Sequence, residues 1–442
     1  MNNYVVAIDL GTTKVVTLVG EKTELGYKVI AYREAPTKGV IRGEVVNIQS
    51  VLDSLSPLIK DIKQELEIEI KDVYVGIAGQ NIQCTVQRLS RNRDLSNDLI
   101  SEAEVEEMTR EIRKSRVNAG EQILDVIPQS YNVDDHIGVE TASGMTGTRI
   151  EGDYKLFIGK VVSAEHSKLV IDRAGLNLKK LILEPIASAK AVLTEDEMEV
   201  GAAVIDLGGG TTDLLIYHNN IIRHSAVIPF GGNSITEDLR KGCSVSLRNA
   251  EQIKVQYGSC YSEYVQENNT VTIPGIGGFQ SRELKFSVIA GIIEARVEEI
   301  IEALMYEIEN SGYMDKLGAG VVITGGGAQL TNIKELFQYK TGYPVRIALP
   351  DRRVINETNQ DIYKPSSSTA IGLLMLGFEK TYSCSESRPI SQTLFDNKEL
   401  EVDQEAPKKK KEKTKAKKTK GSFKKVYEDL VGNIFENINN EA

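Results

Sequence analysis

A glycine-rich turn between two apolar runs recurs in this chain and limits the folds that the chain can adopt. One copy lies in residues 204–217, where the turn reads Asp206-Leu207-Gly208-Gly209-Gly210-Thr211-Thr212. The pattern predicts a strand, a tight turn and a returning strand. Adjacent glycines let backbone N–H groups approach an anion, and threonine hydroxyls add donors. The turn is therefore suited to phosphate, although many glycine-rich turns are only turns.

Carboxylates beside this turn indicate how a phosphate would be held. Asp206 and Asp213 would repel a bare phosphate, so they favour a phosphate that is accompanied by Mg²⁺. The chain opens with the same arrangement, an apolar run over 5–10 that includes Asp9 and is followed by Gly11, Thr12, Thr13 and Lys14. Two copies predict two related lobes that face one nucleotide.

A third glycine turn completes the pattern. Gly325, Gly326 and Gly327 follow a strand-like run at 321–324 and precede a helical pattern at 331–337, and such a turn can pack flat against a nucleoside. In this order the three turns resemble the two phosphate motifs and the adenosine motif of the superfamily of actin, sugar kinases and heat-shock chaperone ATPases. Within that superfamily the chain is similar to the FtsA family of bacterial cell-division proteins, in its segments 184–189, 231–239 and 250–254 and in its tail.

The resemblance implies an α/β fold. It is an actin-like, two-lobed ATPase fold of duplicated ribonuclease-H-like domains, with an inserted α+β subdomain and a C-terminal amphipathic helix. It also implies ATP and Mg²⁺ as cofactors. The phosphates would be held by Gly11, Thr12, Thr13, Lys14, Gly208, Gly209, Gly210, Thr211 and Thr212. The metal would be held through water by Asp9 and Asp206, and the nucleoside would be lined by Gly232, Lys254, Gly325, Gly326 and Gly327. Slow hydrolysis at most is expected, with Glu184 as the candidate to orient water or, alternatively, as a helix cap beside Pro185.

Length and composition set the class of protein. The 442 residues suffice for about three domains. The four cysteines are far apart and form no C-x-x-C pair, and the four histidines have no metal-ligand spacing, so structural roles are favoured. No signal peptide or spanning run is evident, which predicts a reducing cytoplasm. The net charge of −10 argues against nucleic-acid binding by the body of the chain.

The predicted organisation follows the family. A first lobe (1A) comprises 1–83, 161–200 and 361–383, and an inserted interaction subdomain (1C, SHS2-like) comprises 84–160. A second lobe (2A) comprises 201–242 and 318–360, and its insert (2B) comprises 243–317. A disordered lysine-rich linker (384–420) and a membrane-targeting amphipathic helix (421–442) follow. An irregular extension of the first lobe is the alternative for 84–160. Local patterns predict a helix over 48–67, a helix opened by a capping box at Ser101 and Glu104, a strand over 157–163 and a closing helix over 365–377.

The last residues carry an amphipathic pattern that stands apart from the family argument. Their apolar side chains fall at helical steps of three and one: Phe423, Val426, Tyr427, Leu430, Val431, Ile434, Phe435 and Ile438. A helix of this length is too short to span a bilayer, so its apolar face needs a membrane surface or a partner groove. The resemblance favours the membrane, and the lysines of 408–420 would add attraction to anionic lipid.

The resemblance also implies a function. The chain would be an actin-like, ATP-binding division protein that polymerises with itself. As a peripheral protein at the septum, it would tether FtsZ filaments to the cytoplasmic face of the inner membrane. It would also recruit later division proteins through the inserted subdomain. Arg282 and Arg296 are candidate partners for the acidic tail of FtsZ. Two alternatives are an FtsA-like pilus-assembly adaptor and a sugar-kinase-type phosphotransferase. Neither explains the amphipathic tail, and no carboxylate base with a sugar pocket is evident.

Overall fold

The computed structural model of the chain describes residues 4–24, 26–94, 98–266, 268–273, 280–350, 354–356 and 360–383. The predicted linker (384–420) and the predicted membrane helix (421–442) lie outside these residues. Within the described ranges, no helix is both long enough and apolar enough to cross a membrane.

The chain begins with an antiparallel three-stranded meander, followed by a helix and a strand that returns parallel to the first. The elements are β1 (Tyr4–Leu10), β2 (Lys14–Thr23), β3 (Gly26–Pro36), β4 (Val40–Ile41), β5 (Glu44–Val45), α1 (Ile48–Leu66) and β6 (Asp72–Ile77). Helix α1 begins after Asn47, whose side chain accepts a hydrogen bond from the Ser50 backbone N–H. Its buried apolar side chains recur at helical spacing, which confirms the helix predicted over 48–67.

A separate antiparallel sheet follows β6. Its elements are β7 (Gln83–Asn92), α2 (Glu102–Ile112), β8 (Glu121–Val133), β9 (His136–Val139) and β10 (Arg149–Lys160). The strand order is β7-β10-β8-β9, and the sheet has an apolar core of its own with α2, in which Met108 and Tyr154 are fully buried. The capping box predicted at Ser101 and Glu104 is present at the start of α2.

The chain then returns to the first sheet through α3 (Val161–Arg173), β11 (Asn177–Leu183), α4 (Glu184–Val192) and α5 (Glu195–Val200). The strand predicted over 157–163 is wrong beyond Lys160, where helix α3 begins. Val161 and Val162 favour a strand by intrinsic preference, and the Val161 N–H still bonds to the Gly120 carbonyl, one step beyond the Lys160–Glu121 pair of the sheet. The helix begins there because α3 buries one face, which includes Val170 and Ile171, and this packing outweighs the local preference.

The second half of the chain builds another sheet with helices around it. Its elements are β12 (Ala202–Leu207), β13 (Thr212–His218), β14 (Ile221–Ile228), α6 (Gly232–Gly242), α7 (Leu247–Tyr257), β15 (Thr270–Ile273), β16 (Arg282–Lys285), α8 (Phe286–Ser311), β17 (Val321–Thr324), α9 (Ile333–Thr341) and β18 (Val345–Ile347). Finally, β19 (Val354–Asn356) pairs with β3, and α10 (Ser368–Ser383) closes the described chain. A 3₁₀ turn at Pro365–Ser367 precedes α10, so the predicted closing helix begins three residues later and runs beyond 377.

The two large sheets share one topology over five strands, and the first sheet has β19 as an additional strand beside β3. The first has the order β11-β6-β1-β2-β3-β19, and the second has the order β18-β17-β12-β13-β14. In the first sheet, β1 pairs antiparallel with β2 and parallel with β6. In the second sheet, β12 pairs antiparallel with β13 and parallel with β17. The sequence repeat around Asp9 and Asp206 thus corresponds to a structural repeat, and each aspartate is the penultimate residue of its strand.

Helices α4 and α10 cross at close range between the sheets. A side chain at Gly372 of α10 would overlap the Ala187 backbone of α4, so only glycine permits this approach. From the same region Ser188 and Thr369 both donate to the Asp206 carboxylate, at 2.5 and 3.1 Å. The crossing therefore fixes Asp206 of β12 against helices α4 and α10.

Candidate functional site

The two glycine-threonine turns meet face to face. A Cβ on Gly210 would lie 2.7 Å from Thr12 Oγ1, and a Cβ on Gly209 would overlap the Thr13 hydroxyl. Thr12 Oγ1 also accepts a hydrogen bond from the Gly43 N–H at 3.0 Å. The absence of side chains at Gly209 and Gly210 is thus what allows the β1–β2 and β12–β13 hairpins to approach each other.

The start of helix α6 braces the second turn. The N–H groups of Gly232 and Asn233 donate to the carbonyls of Gly208 and Gly209, at 2.9 and 2.8 Å. A Cβ on Gly231 would lie 2.6 Å from the Gly208 oxygen. The helix can approach the turn so closely because the residue before it is glycine.

The third turn, at 325–327, forms another wall of the site. Gly325 has a φ of +86°, a conformation that favours glycine. A Cβ at this position would collide with the Asp206 carboxylate and would lie 2.7 Å from the Leu207 oxygen. The sequence-predicted turn at 325–327 therefore packs directly on the strand that carries Asp206.

The three turns surround one cavity of about 410 Å³. The predicted site residues that line it are Asp9, Gly11, Thr12, Thr13, Lys14, Glu184, Asp206, Gly208, Gly209, Gly210, Thr211, Gly232, Lys254, Gly325, Gly326 and Gly327. Other lining residues, which were not predicted, are Gly43, Asp213, Asn233, Glu251, Val255, Gly258, Gln329, Leu330, Thr331, Ser366 and Thr369. The volume suits a small-molecule ligand.

Thr212 is the predicted phosphate residue that the structure does not bring to the cavity. It is the first residue of β13, its side chain is fully buried, and its hydroxyl donates to the Phe230 carbonyl at 2.8 Å. Side chains alternate between the faces of a strand, so Thr211 and Asp213 face the cavity and Thr212 faces away from it.

Five carboxyl groups line the cavity; Glu251 pairs with Lys254, and the other four interact with one another. Asp9, Asp206 and Asp213 are buried, and Glu184 lies at the start of α4. Burial raises the pKa of Asp9 to about 7, with a further rise from Asp206 and an opposing effect from Lys14. Burial also raises the pKa of Glu184 and of Asp213 well above their usual ranges, and that of Asp206 more weakly because Ser188 and Thr369 donate to it.

This cluster fits a divalent cation held through water. Among the described residues, Asp213 Oδ1 is a buried oxygen with no hydrogen-bond partner, and the repulsion among the carboxylates would be relieved by a positive charge. No set of three His, Cys, Asp or Glu side chains in the described ranges is arranged to coordinate a metal directly. Water and ligand oxygens would therefore have to supply most of the ligands, as is usual for Mg²⁺.

Asp213 was noted beside the second turn but was not among the residues predicted to hold the metal, although the sequence contains a signal for that role. Asp213 is the direct antiparallel partner of Asp206, whereas Val16 occupies the matching position opposite Asp9. Once the hairpin is drawn with its register, two carboxylates stand side by side on one face.

Two lysines lie in the wall of the cavity with different partners. Lys254 is buried, and its Nζ contacts Gly232 O, Thr236 Oγ1 and Glu251 at 3.0, 2.8 and 2.8 Å. Lys254 therefore ties α7 to the start of α6. Lys14 Nζ instead contacts Glu34 Oε2 at 2.7 Å, at the outer edge of the first hairpin.

The two arginines proposed for the FtsZ tail lie in different settings. Arg282 is exposed on β16, and its guanidinium donates to the Ser244 carbonyl. Arg296 lies within helix α8, where it bonds to Asp238 at 2.6 and 3.1 Å and to Glu299 at 2.6 Å, over the ring of Phe230. Through its bonds to Asp238, Arg296 joins α8 to α6.

Comparisons with known proteins fit this architecture. The family model described as cell division protein FtsA matches residues 203–372, and the model described as the SHS2 domain inserted in FtsA matches residues 79–158. The cell division protein FtsA of Neisseria meningitidis serogroup B is 35% identical over 376 residues, which cover 84% of this chain and 89% of that protein. The FtsA protein of Escherichia coli K12 is 32% identical over 385 residues, which cover 85% and 90%.

Solved structures share the fold at low identity. The PilM–PilN type IV pilus biogenesis complex aligns with a TM-score of 0.58 at 15% identity and covers 84% of this chain and 98% of that chain. MreB5 of Spiroplasma citri bound to ADP aligns with a TM-score of 0.51 at 18% identity and covers 86% and 97%. These similarities show an actin-like fold, as predicted from the sequence.

Proposed function

Since the chain belongs to the FtsA family of cell-division proteins, we propose that it is a nucleotide-dependent cytoskeletal adaptor that binds ATP with Mg²⁺ between its lobes. The observation that carries this proposal is the convergence of the three glycine turns on one cavity. Glycines at the closest contacts leave backbone groups accessible, and buried carboxyl groups stand beside them. This combination fits a phosphate ligand that arrives with a divalent cation.

Each part of the cavity has a role in the proposal. The turns at 11–14 and 208–211 would hold the phosphates, while Lys254, Gly232 and the turn at 325–327 would line the nucleoside. Asp9, Asp206 and Asp213 would orient the water ligands of Mg²⁺, which would supply the positive charge that the carboxylates lack. Thr212 keeps a structural role in β13.

Hydrolysis in this site should be slow. Glu184 is the candidate to orient water, and burial and the neighbouring aspartates raise its pKa above the usual range; the sequence offers no unambiguous general base beside it. We expect a turnover far below the ~10 s⁻¹ median of ordinary enzymes. In that case the nucleotide would act mainly by setting how closely the lobes approach, and Glu184→Gln would lower a turnover that is already small.

The other roles are proposed from family membership. The chain would polymerise with itself, bind FtsZ through the second-lobe insert at 243–317, and contact later division proteins through the inserted subdomain at 84–160. Residues 421–442 would attach it to the cytoplasmic face of the inner membrane at the division septum. The division of the chain into these parts remains part of the proposal.

The alternative functions are less well supported. The relatives at 30–35% identity are division proteins, and the pilus complex shares only the fold at 15% identity. Among the described residues that line the cavity, four of the five carboxyl groups interact with one another, and Glu251 pairs with Lys254. A phosphotransferase would need a base placed beside a separate sugar pocket.

Titration calorimetry with Mg-ATP tests the proposal. Wild type should bind, and Asp206→Ala should bind at least tenfold more weakly because it removes a carboxylate that faces both turns. Asp61→Asn, on the exposed face of α1, serves as the matched control and should bind like wild type. Absence of binding by wild type, or undiminished binding by Asp206→Ala, would contradict the proposal.

A further inference from the structure

Lys14 lies at the cavity, but its ammonium is engaged outside the phosphate turns. Its Nζ lies 2.7 Å from Glu34 Oε2 and 3.4 Å from the Tyr32 hydroxyl. Both partners lie on β3, and Glu34 is the register partner of Val16, two residues after Lys14 on β2. Residues two apart share a face of the strand, so Lys14, Tyr32 and Glu34 form a cluster on one side of the hairpin.

The carboxylate that holds Lys14 is itself held in place. The Tyr32 hydroxyl donates to Glu34 Oε2 at 2.5 Å and lies 3.5 Å from Ser367 Oγ. The Tyr32 ring is only 4% exposed, and burial together with the Glu34 hydrogen bond raises the pKa of Tyr32. Tyr32 therefore stays a donor at neutral pH and orients the Glu34 oxygen toward Lys14.

We propose that Glu34 competes with the terminal phosphate of ATP for the Lys14 ammonium and so weakens nucleotide binding. This inference rests on the proposed binding of Mg-ATP. A lysine ammonium is a point charge on a flexible stem, so the same side chain can serve either anion. The Lys14 and Glu34 side chains are 25% and 46% exposed, which makes their ion pair weak enough to exchange.

The effect should depend on the third phosphate. When the cavity is empty, Glu34 neutralises Lys14 at the edge of the site. When ATP is bound, its terminal phosphate takes the ammonium, and Glu34 keeps its hydrogen bond from Tyr32. ADP lacks that phosphate, so Glu34 should weaken ADP binding less than ATP binding. Glu34 would then be a positioning residue that tunes the preference between the two nucleotides.

Calorimetry of Mg-ATP and Mg-ADP binding to the full chain tests this. Exposed ion pairs of this kind correspond to about two- to fivefold in an equilibrium, so Glu34→Gln should bind Mg-ATP about two- to fivefold more tightly than wild type, with a smaller gain for Mg-ADP. In a Lys14→Met background, Glu34→Gln should change the logarithm of the affinity by less than half of its change in the wild-type background. Glu24→Gln, an exposed residue beyond the far end of β2, makes the same charge change and should bind like wild type.

Several outcomes would overturn the inference. Glu34→Gln could bind Mg-ATP no more tightly than wild type, or its gain could be equal in the Lys14→Met background, which would indicate a general charge effect. If Glu34→Gln does not fold, Glu34→Asp retracts the carboxylate while keeping its charge, and a gain of the same sign is expected. Failure of wild type to bind any nucleotide would instead contradict the proposed function, whereas binding by wild type without these gains would overturn only the role of Glu34.

Discussion

At the scale of single residues, the cavity brings together carboxyl groups whose pKa values are raised by burial. Asp213 Oδ1 has no hydrogen-bond partner among the described residues. Burial raises the pKa of Asp213, and the charge of Asp206 adds a smaller rise. A buried polar group of this kind destabilises a fold by about 1–3 kcal/mol. Such a group is more often found where a ligand completes its environment. Asp213 therefore ties the stability of the empty protein to the proposed binding of Mg²⁺.

The first prediction concerns Asp213 itself. Asp213→Asn should weaken Mg-ATP binding by about tenfold, which corresponds to about 1.4 kcal/mol, because the amide cannot supply the negative charge that attracts the cation. The melting temperature without ligand should be no lower than that of wild type, since the substitution removes a repulsive group of the same shape. Calorimetry and a thermal melt measure the two quantities. Unchanged affinity, or a large loss of stability, would contradict this role.

A second prediction follows from the raised pKa of Asp9. Its folded value of about 7 exceeds the ordinary 3.8, so the folded protein binds more protons than the unfolded chain between these values. The stability that Asp9 contributes to the fold is then greatest at low pH and is lost as pH rises through about 7. For one such group, the ligand-free protein should gain about 1 kcal/mol in free energy of unfolding between pH 8 and pH 6. Denaturant titrations measure this change, and Asp9→Asn should reduce the slope.

At the scale of elements, helix α8 shows how a charged side chain can serve packing. Arg296 spans from α8 to Asp238 on α6 and lies 5.2 Å from the Phe230 ring centroid. The Arg296 and Asp238 side chains are 21% and 28% exposed, so this pair is better shielded than most surface pairs. Its two hydrogen bonds fix the approach of the helices.

The third prediction separates structure from partner binding at these two helices. Arg296→Met should lower the free energy of unfolding by about 1–2 kcal/mol because it leaves the carboxylate of Asp238 without its main partner. Arg240→Met, which breaks an exposed pair with Glu237 within α6, should change it by less than about 0.5 kcal/mol. Urea unfolding compares the two variants, and equal losses would refute the packing role. Binding of the FtsZ tail is then best tested with Arg282→Glu, whose exposed side chain is not expected to disturb the fold.

Elements and site were predictable from sequence to different degrees. The glycine turns at Asp9 and Asp206 were visible because phosphate-compatible turns require glycine and threonine in a short span. The orientation of Thr212 and Asp213 was missed, because it follows only once the start of β13 and its register with β12 are fixed. The helical start at Val161 was also hidden, because the packing of a helix face that includes Val170 and Ile171 outweighs the strand preference of two valines.

At the scale of the whole molecule, the two large sheets meet around helices α4 and α10, where several polar contacts are made. Ser188 of α4 and Thr369 of α10 both donate to Asp206, so the two helices cross beside the glycine turn at 208–211. If the chain binds a nucleotide as proposed, these contacts would connect the separation of the two turns with the helix crossing, and so with the relative position of the proposed lobes.

The last prediction concerns the tail, which lies outside the described residues and rests on its sequence pattern. Burying a large apolar side chain fully contributes about 1.5–3 kcal/mol, and we expect about half of that at a membrane surface. The eight apolar residues from Phe423 to Ile438 would then offer roughly 6–12 kcal/mol before the helix is ordered. That suffices for reversible attachment, which polymerisation would strengthen by avidity.

Sedimentation with vesicles that contain anionic lipid measures this attachment. Deletion of residues 421–442 should abolish it, and Leu430→Glu with Ile434→Glu should reduce it at least tenfold because both charges fall on the apolar face. Asn437→Glu with Asn440→Glu, which are not among the apolar positions, adds the same charge and should have a much smaller effect. Salt should weaken binding of the wild type through the lysines of 408–420. If the apolar-face variant still sediments with vesicles, the helix is not the anchor, and its face must instead fill a groove on a partner protein.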